Sequence, residues 1–344
     1  MAVRLALQPP QRKKRCFRAA ADPLQGWSDE ELHKRYRFSR RGIAFIVELL
    51  SEDLERATKR SHALSVEQQI LMALRFYASG SFLQVIGDTI GFEKSTVSKA
   101  VKDVTNAIAD KAGQFIKWPV TQSARATIKT AFYQQARFPN VIGCIDGTHV
   151  KIVAPSTDEN AYVNRKGYHS LNIQAVCDHE GRFTNVNASW PGSVHDAHIF
   201  RTSQIRTYME DEDKGGFDHG ILLGDSGYAC RPFLLTPYLN PQNEAQERFN
   251  RAHGRTRSQI ERAFGRLKRK FHVLHSEVRM KPHRVCKIVI ACAVLHNISL
   301  TLGEPEDEEE PDQEDIQPPQ PPYQGQQDGR GIRDYVTRHY FSRA

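Results

Sequence analysis

The six cysteines of this 344-residue chain include no C-x-x-C pair. That spacing argues against a structural zinc site. Most of the six (Cys16, Cys144, Cys177, Cys230, Cys286, Cys292) sit in apolar stretches and read as buried free thiols in a reducing compartment. No uninterrupted apolar run approaches the roughly 20 residues of a membrane span, and "MAVRLALQPPQRKKRC" lacks a signal-peptide h-region with a cleavage site. Neither export nor a membrane partner is expected. Internal repeats are also missing.

Basic residues are absent from 304–328, which carries ten acids and no Lys or Arg. This distorts the net charge of +8. Residues 1–303 hold 44 basic against 29 acidic side chains, a net of +15. A basic body beside an acidic tail points to a polyanionic partner, most plausibly nucleic acid, without separating DNA from RNA.

What is present divides the chain by pattern. Residues 1–26 form a basic arm, with "QRKKR" at 11–15 suited to nuclear import or phosphate contact, or to neither as a solvated tail. Residues 27–120 are helical by period. "SDEE" at 28–31 has the capping-box pattern, Ile43, Ile46, Val47, Leu50 and Leu54 keep helical spacing, and Ser65 precedes another helix.

Within that region, 82–104 reads as a helix-turn-helix. Val85, Ile86 and Ile90 lie on the first helix and Gly91 supplies the turn. Ser95 is placed to cap a second helix with Val97, Val101 and Val104 inward. Lys94, Ser95, Thr96, Ser98, Lys99 and Lys102 fall on or near the outer face, where short polar groups reach base edges and lysines neutralise phosphates. An ordinary helical hairpin with a polar face has the same pattern.

Beyond residue 139 the period becomes alternating. Residues 140–146 and 149–153 read as two strands, and "SLNIQAVC" and "RFTNVNAS" as a hairpin around "DHEG". "VHDAHIFRTSQI" reads as helical, "GILLGD" as a short buried strand, 243–274 as a long helix and 284–302 as an apolar core helix. The chain is thus α/β from 140 to 302. Residues 303–328 are acidic and Pro/Gln-rich, of disordered composition. Residues 329–344 regain amphipathic character and can dock back or bind a partner.

Three acids stand out. Asp146 and Asp225 follow buried strand patterns, and Glu261 lies at the edge of the apolar stripe Ile260, Phe264, Leu267, Phe271 and Leu274. Leaving such carboxylates ionised and poorly solvated costs several kcal/mol each without a positive partner. Hard divalent cations resolve the repulsion among converging carboxylates, and all-oxygen ligands favour Mg²⁺ or Mn²⁺. Two such ions about 4 Å apart suit an in-line phosphodiester displacement. The plainer reading makes Asp-Gly a turn and Arg257–Glu261 a helical i,i+4 pair.

Asp196 is a fourth acid, read as support for that site or as a helix cap, with His195 and His198 beside it. Arg165, Lys166 and His169 can touch phosphates near the metals or form a solvated turn. Arg262, Arg266, Lys268, Arg269 and Lys270 line a DNA groove or form a wet helix face.

"CIDGTHVKIVAP", "YVNRKGYHSLNIQAVCD", "WPGSVHDAHIF", "LLGDSGYACRPFLLTPY", "RSQIERAFGRLKRKF" and "ACAVLHNIS" together resemble the PIF/Harbinger superfamily of DDE transposases, over about residues 27–302. The resemblance implies an RNase H-like mixed sheet with flanking helices, preceded by the helix-turn-helix. It maps the catalytic and metal-binding acids onto Asp146, Asp225 and Glu261.

It also implies a separate Myb/SANT-like protein supplying DNA recognition and nuclear entry, and self-association on paired DNA ends. The expected activity is metal-dependent endonucleolytic cleavage of double-stranded DNA, in the nucleus with a cytoplasmic pool. The alternative is a DNA-binding or scaffolding protein that no longer transposes. An RNA-directed nuclease is disfavoured, since no aromatic-rich stacking platform is visible.

Overall fold

The computed structural model describes residues 23–55, 63–211, 217–306 and 321–342. Cys16, "QRKKR" and most of the acidic segment lie outside these residues.

Local capping explains where the first helices start. They are α1 (Pro23–Gly26), α2 (Asp29–Tyr36), α3 (Arg40–Leu54), α4 (Val66–Ser79), α5 (Leu83–Ile90), α6 (Lys94–Asp110), α7 (Ala112–Phe115) and α8 (Gln122–Ala136). Ser28 with Glu31, and Ser65 with Gln68, close complete capping boxes on α2 and α4, each cap being worth about 1 kcal/mol. Gly91 ends α5 in the left-handed region, at φ +78°. It turns the chain into α6, whose Val97, Val101 and Val104 are buried as expected.

Val85 lies on α5 as expected, 52% exposed. One detail differs from expectation. Ser95 is not a cap, because α6 already begins at Lys94 with Glu93 as an N-cap that makes no side-chain bond.

Five strands form one mixed sheet in the order β3-β2-β1-β4-β5. They are β1 (Val141–Lys151), β2 (Ser170–Cys177), β3 (Phe183–Pro191), β4 (Ile221–Leu223) and β5 (Leu234–Leu235). The hairpin β2–β3 is present, and β1 runs antiparallel to β2 from Cys144↔Cys177 to Lys151↔Ser170. On its other side β1 is parallel to β4, with Cys144 opposite Leu223, and β4 is parallel to β5.

The expected break after residue 146 does not occur. Asp146 and Gly147 continue the strand because β2 pairs with both, at Ala175 and Gln174. What stops near Asp146 is the parallel neighbour β4.

Helices cover both faces of the sheet. On one, α9 (Asp196–Arg201) and α10 (Gln204–Glu210) bring Phe200, Ile205 and Met209 onto Ile142, Ile145, Val176 and Leu222. On the other, α11 (Glu244–Lys270) and α12 (Pro282–Leu302) share one continuous core with the sheet, α8 and the N-terminal helices. Fully burying each Ile, Leu or Phe there contributes roughly 1.5–3 kcal/mol.

Asn297 on α12 clamps β3. Its Nδ2 donates to Phe183 O (2.8 Å) and Phe115 O (3.0 Å), and its Oδ1 accepts from Phe183 N–H (2.9 Å). By length and composition α12 could cross a membrane, but 67% of its apolar window is buried inside this fold, which makes it a core helix. The last helix, α13 (Arg330–Tyr340), docks back. Phe341, just after it, packs at 5.5 Å from Phe138 and 5.7 Å from Phe249.

Candidate active site

Sheet register builds the site. Cys144 lies opposite Leu223 on the parallel pair β1/β4. Two residues further on, the same direction of travel carries Asp146 along β1 and Asp225 out of the end of β4, on neighbouring strands at one end of the sheet. Open α/β sheets collect ligands at such carboxyl ends. Asp225 opens a tight turn, its Oδ1 accepting the Gly227 N–H at 3.0 Å.

The third acid is Asp196, at the start of α9 and 2% exposed. Asn172 Nδ2 donates to its Oδ1 at 2.7 Å, and Gln174 Nε2 donates to its backbone oxygen at 3.0 Å and contacts Tyr228 Oη at 3.1 Å. The Asp196 carboxylate lies directly over Gly147. A Cβ placed on that glycine would meet both carboxylate oxygens at 2.4 Å.

Glu261 is positioned by α11, whose Ile260, Ala263 and Phe264 are buried against the core. One turn earlier, Arg257 sits between Glu261 and the sheet. Its Nη1 donates to Asp146 Oδ2 at 2.8 Å and its Nη2 to Glu261 Oε1 at 2.5 Å.

The electrostatics follow from four carboxylates, with the Arg257 guanidinium between Asp146 and Glu261 and Arg165 adding positive charge near Asp196. Burial pushes the Asp146 carboxyl up to about 8, with the charges of Asp225 and Asp196 adding to the rise and Arg257 opposing it. Burial likewise raises Asp196 to about 6, against the Asn172 hydrogen bond and with Asp225 adding to the rise. Tyr228, buried beside the same three aspartates, has its phenol pushed far above the usual range. Asp196 and Asp225 raise the pKa of Asp146, and Asp225 that of Asp196, even with Arg257 and Arg165 beside them, a repulsion that a divalent cation relieves. Its donors are all carboxylate oxygens, which suits Mg²⁺ or Mn²⁺. Among the described residues, however, no three His, Cys, Asp or Glu side chains already close on a common point. Glu261 is turned to Arg257 instead.

Comparison with known proteins adds an independent line. Residues 145–297 match the model of a DDE superfamily endonuclease. The chain is 44% identical over 283 residues to a mouse protein named "Putative nuclease HARBI1", covering 81% of this chain and 80% of the relative. The human protein of that name is 41% identical over the same coverage. This chain belongs to the Harbinger family of DDE superfamily endonucleases. An Arabidopsis relative, "Protein ALP1-like", is 28% identical over 289 residues, covering 78% of this chain and 70% of that one. No solved structure matches.

All four acids of this Harbinger-family chain fall inside the matched endonuclease segment. The basic residues expected around them scatter more widely. Arg165 and Lys166 are exposed on the loop before β2, and Arg165 Nη2 lies 3.2 Å from His195 Nδ1, next to Asp196. His169 pairs with Glu159 at 3.0 Å. His198 contacts Arg201 at 3.0 Å and meets Trp190 edge to face, with ring centroids 5.3 Å apart. Neither His195 nor His198 joins a metal-binding group among the described residues.

On α11, Arg262 is exposed and Arg266 and Arg269 are half-buried. Lys268 and Lys270 are not on a wet face, with only 4% and 6% exposure. Lys270 Nζ donates to Arg37 O and lies over the Phe38 ring. On α6, Lys94, Ser95, Lys99 and Lys102 are exposed and Thr96 and Ser98 half-buried, with Lys99 paired to Asp103.

Sequence reading missed Asn172, Gln174 and Arg257. The first two carried a signal: polar residues alternating with Ile173 and Ala175 in an otherwise apolar strand mark one face of that strand as a site wall. Arg257 carried only its i,i+4 spacing to Glu261. Its other contact spans 111 residues of sequence.

Proposed function

We propose that this protein is a metal-dependent DNA endonuclease of transposase type, in which Asp146, Asp225 and Glu261 hold the metal and Asp196 supports them. The observation that carries this reading is the assembly of mutually repelling aspartates, Asp196 buried and Asp146 and Asp225 half-buried, where β1 and β4 run parallel, with Glu261 joined to Asp146 through Arg257. The strand order, three antiparallel strands followed by two parallel ones, supports an RNase H-like core.

Bound divalent ions supply Lewis acidity and a nucleophile at neutral pH for phosphodiester cleavage. The chain's own residues prepare the site. Asn172 and Gln174 fix Asp196, Gly147 leaves room for its carboxylate, and the turn at Gly227 orients Asp225. Supercoiled plasmid incubated with Mn²⁺ should be nicked, and EDTA should abolish nicking. Tight DNA binding with no cleavage in Mn²⁺ or Mg²⁺ would favour a scaffolding protein instead.

The helix pair α5–α6 is proposed as a helix-turn-helix, supported by its three-residue turn and the exposed lysines of α6. Arg165, Lys166, Arg262, Arg266 and Arg269 are proposed as backbone contacts nearer the acids. Duplex binding should then weaken steeply with salt, since log K falls by about 0.9 per decade of salt for each phosphate neutralised. Replacing Lys94, Lys99 and Lys102 together by Ala should flatten that slope by about 2–3, measured by fluorescence anisotropy at several salt concentrations. An unchanged slope would remove α6 from the DNA interface. A nuclear location, self-association and a Myb/SANT-like partner complete the proposal, supported by the basic body and by family resemblance.

A further inference from the structure

Arg257 is the unusual member of the site. An i,i+4 pair with Glu261 alone would be an ordinary helix-surface contact. Here the guanidinium is forked. One arm holds Glu261 on its own helix and the other holds Asp146 on the central strand, at 2.5 and 2.8 Å. The side chain is only 19% exposed, and Asp146 only 17%.

The helix beneath it is fixed. Thr256 and Ile260 are buried, and Cys144 Sγ donates to Thr256 O at 3.3 Å. His253, one turn earlier, is buried with its Nε2 donating to Leu235 O at 3.1 Å, and burial pushes its pKa down to about 3. That ring is neutral, so it does not compete for the carboxylates. A planar, permanently charged fork is the side chain best suited to bridging two carboxylates.

We infer that Arg257 is a resident counter-ion: it occupies the position between Asp146 and Glu261 that positive charge must fill, and it must withdraw before these two acids can serve one divalent cation together. The inference rests on the proposed metal-dependent reading and deepens it. Two carboxylates committed to a guanidinium at hydrogen-bonding distance offer their inner oxygens to that group. A divalent ion placed beside it would also be repelled. Metal loading is thereby coupled to a side-chain movement on α11, and the metal-free site is kept from being pushed apart by its own negative charge. Arg257 is a positioning residue in this account.

The test is Mn²⁺ binding by titration calorimetry, with thermal unfolding in EDTA and in Mn²⁺, on the full chain and on Arg257→Gln and Arg257→Lys. The inference predicts that Arg257→Gln binds Mn²⁺ at least about tenfold more tightly than the wild type. Its melting temperature should be lower in EDTA, and its gain on adding Mn²⁺ larger. Arg257→Lys keeps the charge without the fork and should fall between. If Arg257→Gln does not fold, Arg257→Lys decides, with binding tighter than wild type supporting the inference. Equal or weaker Mn²⁺ binding in the variants, with the wild type binding normally, overturns the role of Arg257 alone, because a merely structural arginine would give that result. No Mn²⁺ binding by any of the proteins overturns the metal reading of the site, and this inference with it.

Discussion

Asp225→Asn is expected to lower Mn²⁺-dependent nicking of supercoiled DNA by about 10³-fold or more, with little loss of fold. The carboxylate closes one side of the acid cluster. Charge stabilisation of a phosphodiester transition state by a held divalent ion is worth several kcal/mol, and each 1.4 kcal/mol is a factor of ten in rate. The substitution is gentle elsewhere. Asp225 is half-buried, and the Gly227 N–H that its Oδ1 accepts at 3.0 Å can be accepted by an asparagine oxygen. Circular dichroism and duplex affinity should match the wild type. Nicking retained within tenfold would remove Asp225 from the reaction. Loss of nicking together with loss of fold would assign it to the turn.

A single methyl group should do comparable damage at Gly147→Ala. The strand is intact there and pairs with Gln174, so backbone conformation is not the obstacle. The added Cβ would lie 2.4 Å from both oxygens of Asp196, which is pinned by Asn172 at 2.7 Å and is 2% exposed. Either Asp196 moves, breaking that bond and unseating α9, or β1 moves and takes Asp146 with it. Overpacking of this kind costs about 1–3 kcal/mol. Urea unfolding should show that loss, and Mn²⁺-dependent nicking should fall by about 10²-fold or more. An alanine variant with wild-type stability and activity would mean that Asp196 need not stand where it does.

These two neighbours show what was legible in the sequence and what was not. Alternation marked the β2–β3 hairpin, cap residues marked the starts of α2 and α4, and the apolar stripe marked the buried face of α11, beside which Glu261 is 52% exposed. The Asp-Gly pair at 146–147 carried a turn preference that lost to the long ladder with β2. Gly147 is needed for the space its missing Cβ leaves, a demand set by Asp196, 49 positions away.

Ser95 looked like a cap because serine favours that position, yet α6 starts one residue before it. Lys268 and Lys270 belong to a strongly basic run, and only tertiary packing turns them under the surface. Charge and period are local properties. The fork of Arg257 joins β1 to α11, and no local pattern encodes such a contact.

The central claim is that Asp146, in the middle of a buried strand, is there to hold a divalent cation. Titration calorimetry with Mn²⁺ on the wild type and on Asp146→Ala addresses it without requiring a DNA substrate. The account predicts saturable binding to the wild type and none to the variant. Equal binding by the two proteins, or none by either, would contradict it and leave Asp146 as the acid half of an ion pair with Arg257.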